Sequence, residues 1–392
     1  MPQVNPEILT WARETAGLAP EAAARALQLG GVRSAGAERL QAIEAGNIEP
    51  SRPLLLKMAK VYRRPLLAFY LPAPPQQGER GEDFRTLPAE RQHESAPTLD
   101  ALLRDVHVRQ HLVRGILEDA DETTPLTFVG SITLHFTIAD AAKSIKEALG
   151  FNLTEFRKRR TVEESFSYLR GLAEKLGVFV LLIGNLGTHH TAFNTDVFRG
   201  FALADRVAPF VVINDQDAKA AWAFTLLHEL AHIWLGTTGI SGSDAEKRIE
   251  QFCNDVASEL LLPESELAKL EDVELDPARG VNLITNFANA RRISRPLVAY
   301  RLFKSGRIQR ATWITLTEEF RKAWEYEKAA KKAKAKNDDS GPNYYVVRRH
   351  KMGAALVDVV RRALAEGFVT PTKAGRVLGV RANNVEALIG AQ

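Results

Sequence analysis

Residues 224–236 read Phe-Thr-Leu-Leu-His-Glu-Leu-Ala-His-Ile-Trp-Leu-Gly, and the rest of the chain is best read outward from them. At helical spacing His228 and His232 leave one face about a turn apart, so their imidazoles can share one ion. Glu229 stands beside them. Two neutral imidazoles around a carboxylate make the zinc-peptidase pattern His-Glu-x-x-His, in which the rings hold Zn²⁺ and the acid takes a proton from water on the metal. Leu226, Leu227, Leu230, Ala231, Ile233, Trp234 and Leu235 surround the pattern, which predicts a buried helix rather than a solvated turn. Polar groups in such a helix need partners. The competing reading is a pair of structural histidines beside a satisfied glutamate, and paired buried ionisable groups of that kind are rare.

A third protein ligand is expected from a later helix. Residues 244–263, Asp-Ala-Glu-Lys-Arg-Ile-Glu-Gln-Phe-Cys-Asn-Asp-Val-Ala-Ser-Glu-Leu-Leu-Leu-Pro, put Ile249, Phe252, Cys253, Val256 and Leu260 in one apolar stripe that Pro263 ends. Glu250 and Asn254 stand four residues apart, so the carboxylate can bind the ion while the amide, one turn on, steadies a ligand histidine. Glu250 is taken as the third ligand. Glu246 and Glu259 are the alternatives on the same helix.

Together the two runs resemble the ImmA/IrrE family of metallo-endopeptidases. In that family Glu, Asn four residues on, and then Ala-x-x-Leu-Leu-x-Pro follow the histidine motif; Glu250, Asn254, Ala257, Leu260, Leu261 and Pro263 fill those places. The resemblance covers residues 150–300. It implies a gluzincin-like peptidase core and cleavage of a regulatory protein, commonly a repressor, in phage, mobile-element or stress circuits. Family members also carry a Ser and a later Arg-Leu after this region, matched by Ser294 and Arg301. Tyr300 and Arg301 are candidates to stabilise an oxyanion.

At 392 residues the chain is longer than one typical domain. A formal net charge of +4 is small for that length, so any nucleic-acid surface is local rather than global. The single cysteine, Cys253, excludes an internal disulfide and suits a reducing compartment. No signal pattern and no membrane-length apolar run is present, so a cytoplasmic protein without a membrane partner is expected.

The expected fold is mainly α with a small β-sheet (α+β). Residues 1–75 read as short helices: one carrying Ile8, Leu9, Ala12 and Ala16, a second over 22–29, a third ending near Ala45 and a fourth after Pro53. They resemble an XRE-type helix-turn-helix domain through Ala12-Arg13, Gly17-Leu18, Ala23-Ala24, Ile43-Glu44-Ala45-Gly46, Pro50 and 56–62. Arg33, Ser34, Arg39 and Gln41 are its candidate DNA contacts, since Arg and Gln make bidentate bonds to guanine and adenine. Acidic Glu38 and Glu44 offset much of that charge, and contact with protein rather than DNA is the other use of such a scaffold. Residues 76–125 are a linker and connecting helix, the helix spanning 97–121 with His107 and His111 read as surface or packing residues. The peptidase domain takes 126–310, with helices over 136–149 and 162–176, strands over 178–183, 201–203 and 209–214, and a helical stretch over 281–303. His189 and His190 fall in a loop between strands. Residues 311–340 are a charged helical spacer with its lysines at 324–337, and 341–392 a small helical unit with helix-turn-helix spacing.

The predicted reaction is peptide-bond hydrolysis. His228, His232 and Glu250 leave a fourth position on Zn²⁺ open, and Glu229 accepts a proton from water there and passes it to the leaving amine. The partners expected are a protein substrate, of repressor type by the family resemblance, and DNA through the N-terminal domain. The alternative is a DNA-binding transcriptional regulator or antitoxin whose metal site is structural or sensory.

Overall fold

The computed structural model describes residues 3–30, 36–75, 89–187, 191–237, 244–270, 277–335 and 343–390, with the backbone alone at 89–96, 244–246, 277–279 and 331–335. The chain divides into two compact units, the first made of residues 1–80 and 85–106, the second of 81–84 and 107–392.

In the first unit α1 (Pro6–Thr15), α2 (Pro20–Leu27), α3 (Gly36–Glu44) and α4 (Arg52–Val61) enclose a core of Ile8, Leu9, Ala23, Leu27, Leu40, Ile43, Leu55, Met58 and Tyr62. Asn5 caps α1 by accepting from the Glu7 N–H at 3.0 Å, and Pro6 occupies its first turn, the place where a missing N–H does no harm. The second helix stops at Leu27, two residues short of the predicted end, because Gln28 turns into the left-handed region (φ 57°). Glu44 does not face solvent. It forms a buried pair with Arg13 at 2.8 Å, so it does not count against the surface charge of this unit.

Helix α5 (Ala89–Asp119) begins eight residues before the predicted start and runs through Pro97. Residues 89–96 are nearly all polar, so apolar periodicity gives no sign of them.

In the second unit α6 (Ile138–Leu149), α7 (Leu153–Arg157) and α8 (Val162–Lys175) precede a three-stranded sheet of β1 (Phe179–Leu182), β2 (Gly200–Leu203) and β3 (Phe210–Ile213). The strand order is β1-β3-β2, with β1 parallel and β2 antiparallel to β3. Every strand residue is buried, which explains why the strands read as unbroken apolar runs instead of alternating ones. The outer edge of β1 is covered: Arg170 donates to the Val180 carbonyl and also to His350 O. The edge of β2 is different. Asn214 N–H donates to Arg199 O, which sets the alternation so that Phe201 and Leu203 turn their backbone groups to β3 and Gly200 and Ala202 turn theirs away.

Helix α9 (Trp222–Leu235) lies on the sheet, and α10 (Asp244–Leu261) and α6 pack against it. After α11 (Glu264–Leu267), the predicted single stretch at 281–303 is two helices, α12 (Pro277–Arg291) and α13 (Arg295–Lys304). Arg292 at φ 59° ends the first, and Ser294 caps the second by accepting from Leu297 N–H. A run of uniformly helical composition hides a break that one left-handed residue makes. Helix α14 (Arg310–Ala335) contains most of the predicted lysine helix and extends it toward the N-terminus.

Helices α15 (Tyr344–Met352), α16 (Ala354–Ala365), α17 (Pro371–Leu378) and α18 (Val385–Ile389) complete the unit. They are tied to the rest of it by Lys351–Asp215 at 2.5 Å, Arg362–Glu122 at 2.6 Å and the Ala354 N–H to Glu174 at 3.2 Å. No helix among the described residues is long and apolar enough to cross a membrane.

Glu266 on α11 joins three elements through Arg157 at 2.6 Å, Lys269 at 2.7 Å and Arg291 at 3.3 Å. The Lys269 hydrogen bond, with Arg157 and against burial, holds its carboxyl down at about 2. A carboxyl lowered in the folded state contributes stability above its unfolded pKa and loses it as pH falls toward the folded value. Denaturation of the native chain and of Glu266→Gln should therefore differ at pH 7, and the difference should shrink between the ordinary glutamate pKa and pH about 2.

Candidate metal centre

Helix α9 is buried over nearly its whole circumference, from Trp222 and Ala223 to Ile233 and Trp234. Such a helix has no solvated face on which His228, Glu229 and His232 could be hydrated. Its C-terminus is closed tightly. Gly236 takes the left-handed conformation (φ 68°), and a Cβ there would lie 2.9 Å from the Gly130 Cα. The carbonyls of Ile233, which also takes the Gly236 N–H at 2.9 Å, and Trp234 accept from the N–H groups of Gly130 and Ile132, both at 3.1 Å, and Trp234 stacks on Phe128 at 4.4 Å.

Glu250 on α10 meets both rings: its carboxylate lies 3.3 Å from His228 Nε2 and 3.1 Å from His232 Nε2, while the two Nε2 atoms are 3.2 Å apart. A tetrahedral ion with bonds of about 2.0–2.1 Å spaces its ligands about 3.3–3.4 Å apart. The donor set and its spacing therefore fit a small divalent ion. Among the described residues this is the one group of three His, Cys, Asp or Glu side chains whose ligand atoms converge. Burial works to raise the Glu250 carboxyl, but the hydrogen bonds and charge of His228 and His232 prevail and hold it well below the ordinary carboxylate range.

Of the alternatives, Glu259 is turned to Arg301 at 2.7 Å, and the side chain of Glu246 is outside the described residues. His107 is half-buried on α5 with its pKa lowered by burial and by His111, and no third donor among the described residues joins that pair. His189, His190, Arg33 and Ser34 are also outside the described residues. Arg39 and Gln41 are exposed on α3.

Two features of the site were not visible in the motif. Thr237, the residue after the capping glycine, places its hydroxyl 3.2 Å from His232 Nδ1 while donating to the His232 carbonyl at 3.3 Å. That hydroxyl is placed to accept from Nδ1–H and so to orient the ring with Nε2 turned to Glu250. Thr237→Val should weaken metal affinity about tenfold with the fold intact, as measured by competition with a zinc chelator. The second feature is Gly200. A Cβ on it would lie 2.6 Å from Thr225 Cγ2 and 2.7 Å from Glu229 Oε1, so only glycine lets β2 lie against the carboxylate. Gly200→Ala is expected to cost about 1–3 kcal/mol in urea denaturation, the usual range for overpacking, and to displace Glu229.

Asn254 is half-buried one turn beyond Glu250. Tyr300 and Arg301 are not brought into contact with the three ligand atoms. The Tyr300 hydroxyl donates to Asp255 at 2.6 Å, with its own pKa raised by burial and by that bond, and Arg301 pairs with Glu259 and Glu264.

Residues 173–303 match the family model for the IrrE N-terminal-like domain, a peptidase family, and all the residues of this site fall inside the match. It speaks for a metallopeptidase in general and does not extend to the N-terminal unit. No curated protein and no solved structure matches the chain.

Proposed function

We propose that the chain is a zinc-dependent endopeptidase of gluzincin type that hydrolyses a regulatory protein, with His228, His232 and Glu250 as ligands and Glu229 as general base and acid. The observation that carries the reading is the convergence of the three donor atoms one residue from a carboxylate held between the metal helix and an edge strand. When bound, zinc supplies Lewis acidity and brings the pKa of water on it to about 7. The carboxylate of Glu229, 3 % exposed, takes up a proton at that position and returns it to the nitrogen that leaves. Burial keeps bulk water from competing for this transfer.

Edge geometry supports an extended substrate. Gly200 and Ala202 turn their N–H and C=O groups away from β3, so a peptide that pairs with β2 lies beside α9 with its scissile bond near Glu229. Asn254 steadies a ligand histidine in this scheme. Residues 1–75 serve as a helix-turn-helix domain that contacts DNA or the repressor, with Arg33, Ser34, Arg39 and Gln41 as its contact residues. The protein works in the cytoplasm, its peptidase domain spans 126–310, and a helix-turn-helix repressor in a phage, mobile-element or stress circuit is the substrate.

The test is incubation of the purified chain, with zinc and with chelator, against helix-turn-helix proteins encoded beside its gene. A defined cut in the zinc arm that is lost with chelator is expected. Metal-loaded protein that cuts none of them would overturn the repressor assignment.

A further inference from the structure

The first unit gathers two guanidinium groups at one cavity. A cavity of about 200 Å³ is walled by Leu18, Val61 and Pro97 and lined by Thr98, Arg63 and Arg104. Neither arginine makes a hydrogen bond or ion pair among the described residues, whereas Arg13 in the same unit is matched to Glu44 at 2.8 Å. A third arginine, Arg64, lies over the Trp11 ring at 4.2 Å and donates to Thr15 at 2.8 Å. Burial and then repulsion from Arg104 push Arg64 down to about 10, against the pull of Asp100. Arg104 is lowered by burial and by Arg63, again against Asp100, and burial lowers Arg63. Among the described residues, three cations thus act on one another near Asp100. Arg104 is half-buried and Arg63 exposed, and like charges gathered at one cavity are unfavourable unless something of opposite sign joins them.

The backbone positions one of the two lining arginines. Arg63 ends α4 in the left-handed region at φ 52°, with the Arg64 N–H returning to Ala59 O at 3.0 Å. Glycine or asparagine serves that turn without strain, so the turn itself does not select arginine. Left-handed residues also end helices at Gln28 and Arg292, and here the turn places the Arg63 side chain in the cavity lining.

We propose that this cavity binds a small organic anion, a carboxylate or phosphate monoester on an apolar body, held by Arg63 and Arg104 with Thr98 as a further hydrogen-bond donor. Guanidinium groups match both oxyanions in a fork geometry, and the apolar walls take the rest of the ligand. The site is independent of the peptidase reading and is a place where a metabolite can be sensed by the N-terminal unit.

The experiment is isothermal titration of the full chain with benzoate, with phenyl phosphate and with phenol as the uncharged control. Saturable binding of at least one anion and none of phenol is expected, and the anion that binds identifies the headgroup. Arg104→Ala and Arg63→Gly should each weaken binding at least tenfold, and Arg104→Lys should retain part of it. Arg63→Gly also relieves the left-handed strain, so its melting temperature should rise while its anion affinity falls, which separates loss of the site from loss of the fold. If neither anion binds, if phenol binds equally well, or if Arg63→Gly binds as the native chain does, the proposal is wrong.

Discussion

Glu229→Gln is expected to yield a folded, metal-loaded protein whose peptide hydrolysis is slower by about 10³-fold, within the 10²–10⁴ that a positioned acid–base group contributes. The substitution keeps the side chain's size in a place with none to spare, because Gly200 on β2 already lies where a Cβ would come 2.7 Å from Glu229 Oε1. It removes only the capacity to take and return a proton. Metal content by elemental analysis should match the native chain, since the atoms that could hold an ion belong to His228, His232 and Glu250. The decisive comparison is the ratio of turnover to bound metal. A variant that loses metal along with activity would assign Glu229 a structural role, and one that keeps full activity would remove it from the reaction.

Loss of the third donor should have the second largest effect. Glu250→Ala leaves two imidazoles 3.2 Å apart without the carboxylate that bridges them, and two ligands do not hold zinc at cellular concentrations. Zinc affinity should fall by more than about 10³-fold, the consequence of taking one of three protein ligands from an ion that needs a closed set. Stability reports the same loss by linkage. Metal at about 1,000 times its dissociation constant stabilises the folded state by about 4 kcal/mol, and chelation removes it. Native protein should therefore melt lower with chelator than with zinc, whereas Glu250→Ala should melt at one temperature in both. A native chain indifferent to chelator would rule out an ion at this site. Equal melting of the variant with and without zinc, together with a clear shift in the native chain, would confirm where the ion is held.

Much of this centre was legible in order along the chain. Spacing of four on a helix puts His228 and His232 on one face whatever surrounds them, and the apolar stripe of α10 predicts which way Glu250 and Cys253 point. The small sheet was legible too, to within a residue or two at each strand end, because strands buried on both faces are short runs of Val, Ile, Leu and Phe. Boundaries set by single left-handed residues were not. Gln28 ends α2 and Arg292 separates α12 from α13 at places where composition is uniformly helical. Residue type says little about φ when the residue is neither Gly nor Pro.

Taken alone, then, the sequence determined the helix that bears the two imidazoles and Glu229, the stripe that carries Glu250, and a mainly helical fold with a small sheet. Those properties rest on period and composition, which are local. Tertiary structure decided that Glu250 rather than Glu259 meets the rings, that Thr237 orients His232, that Gly200 brings an edge strand against Glu229, and that Arg63 and Arg104 share a cavity. Each of these depends on which residues of distant or unrelated segments touch, and contact across the chain leaves no period behind it.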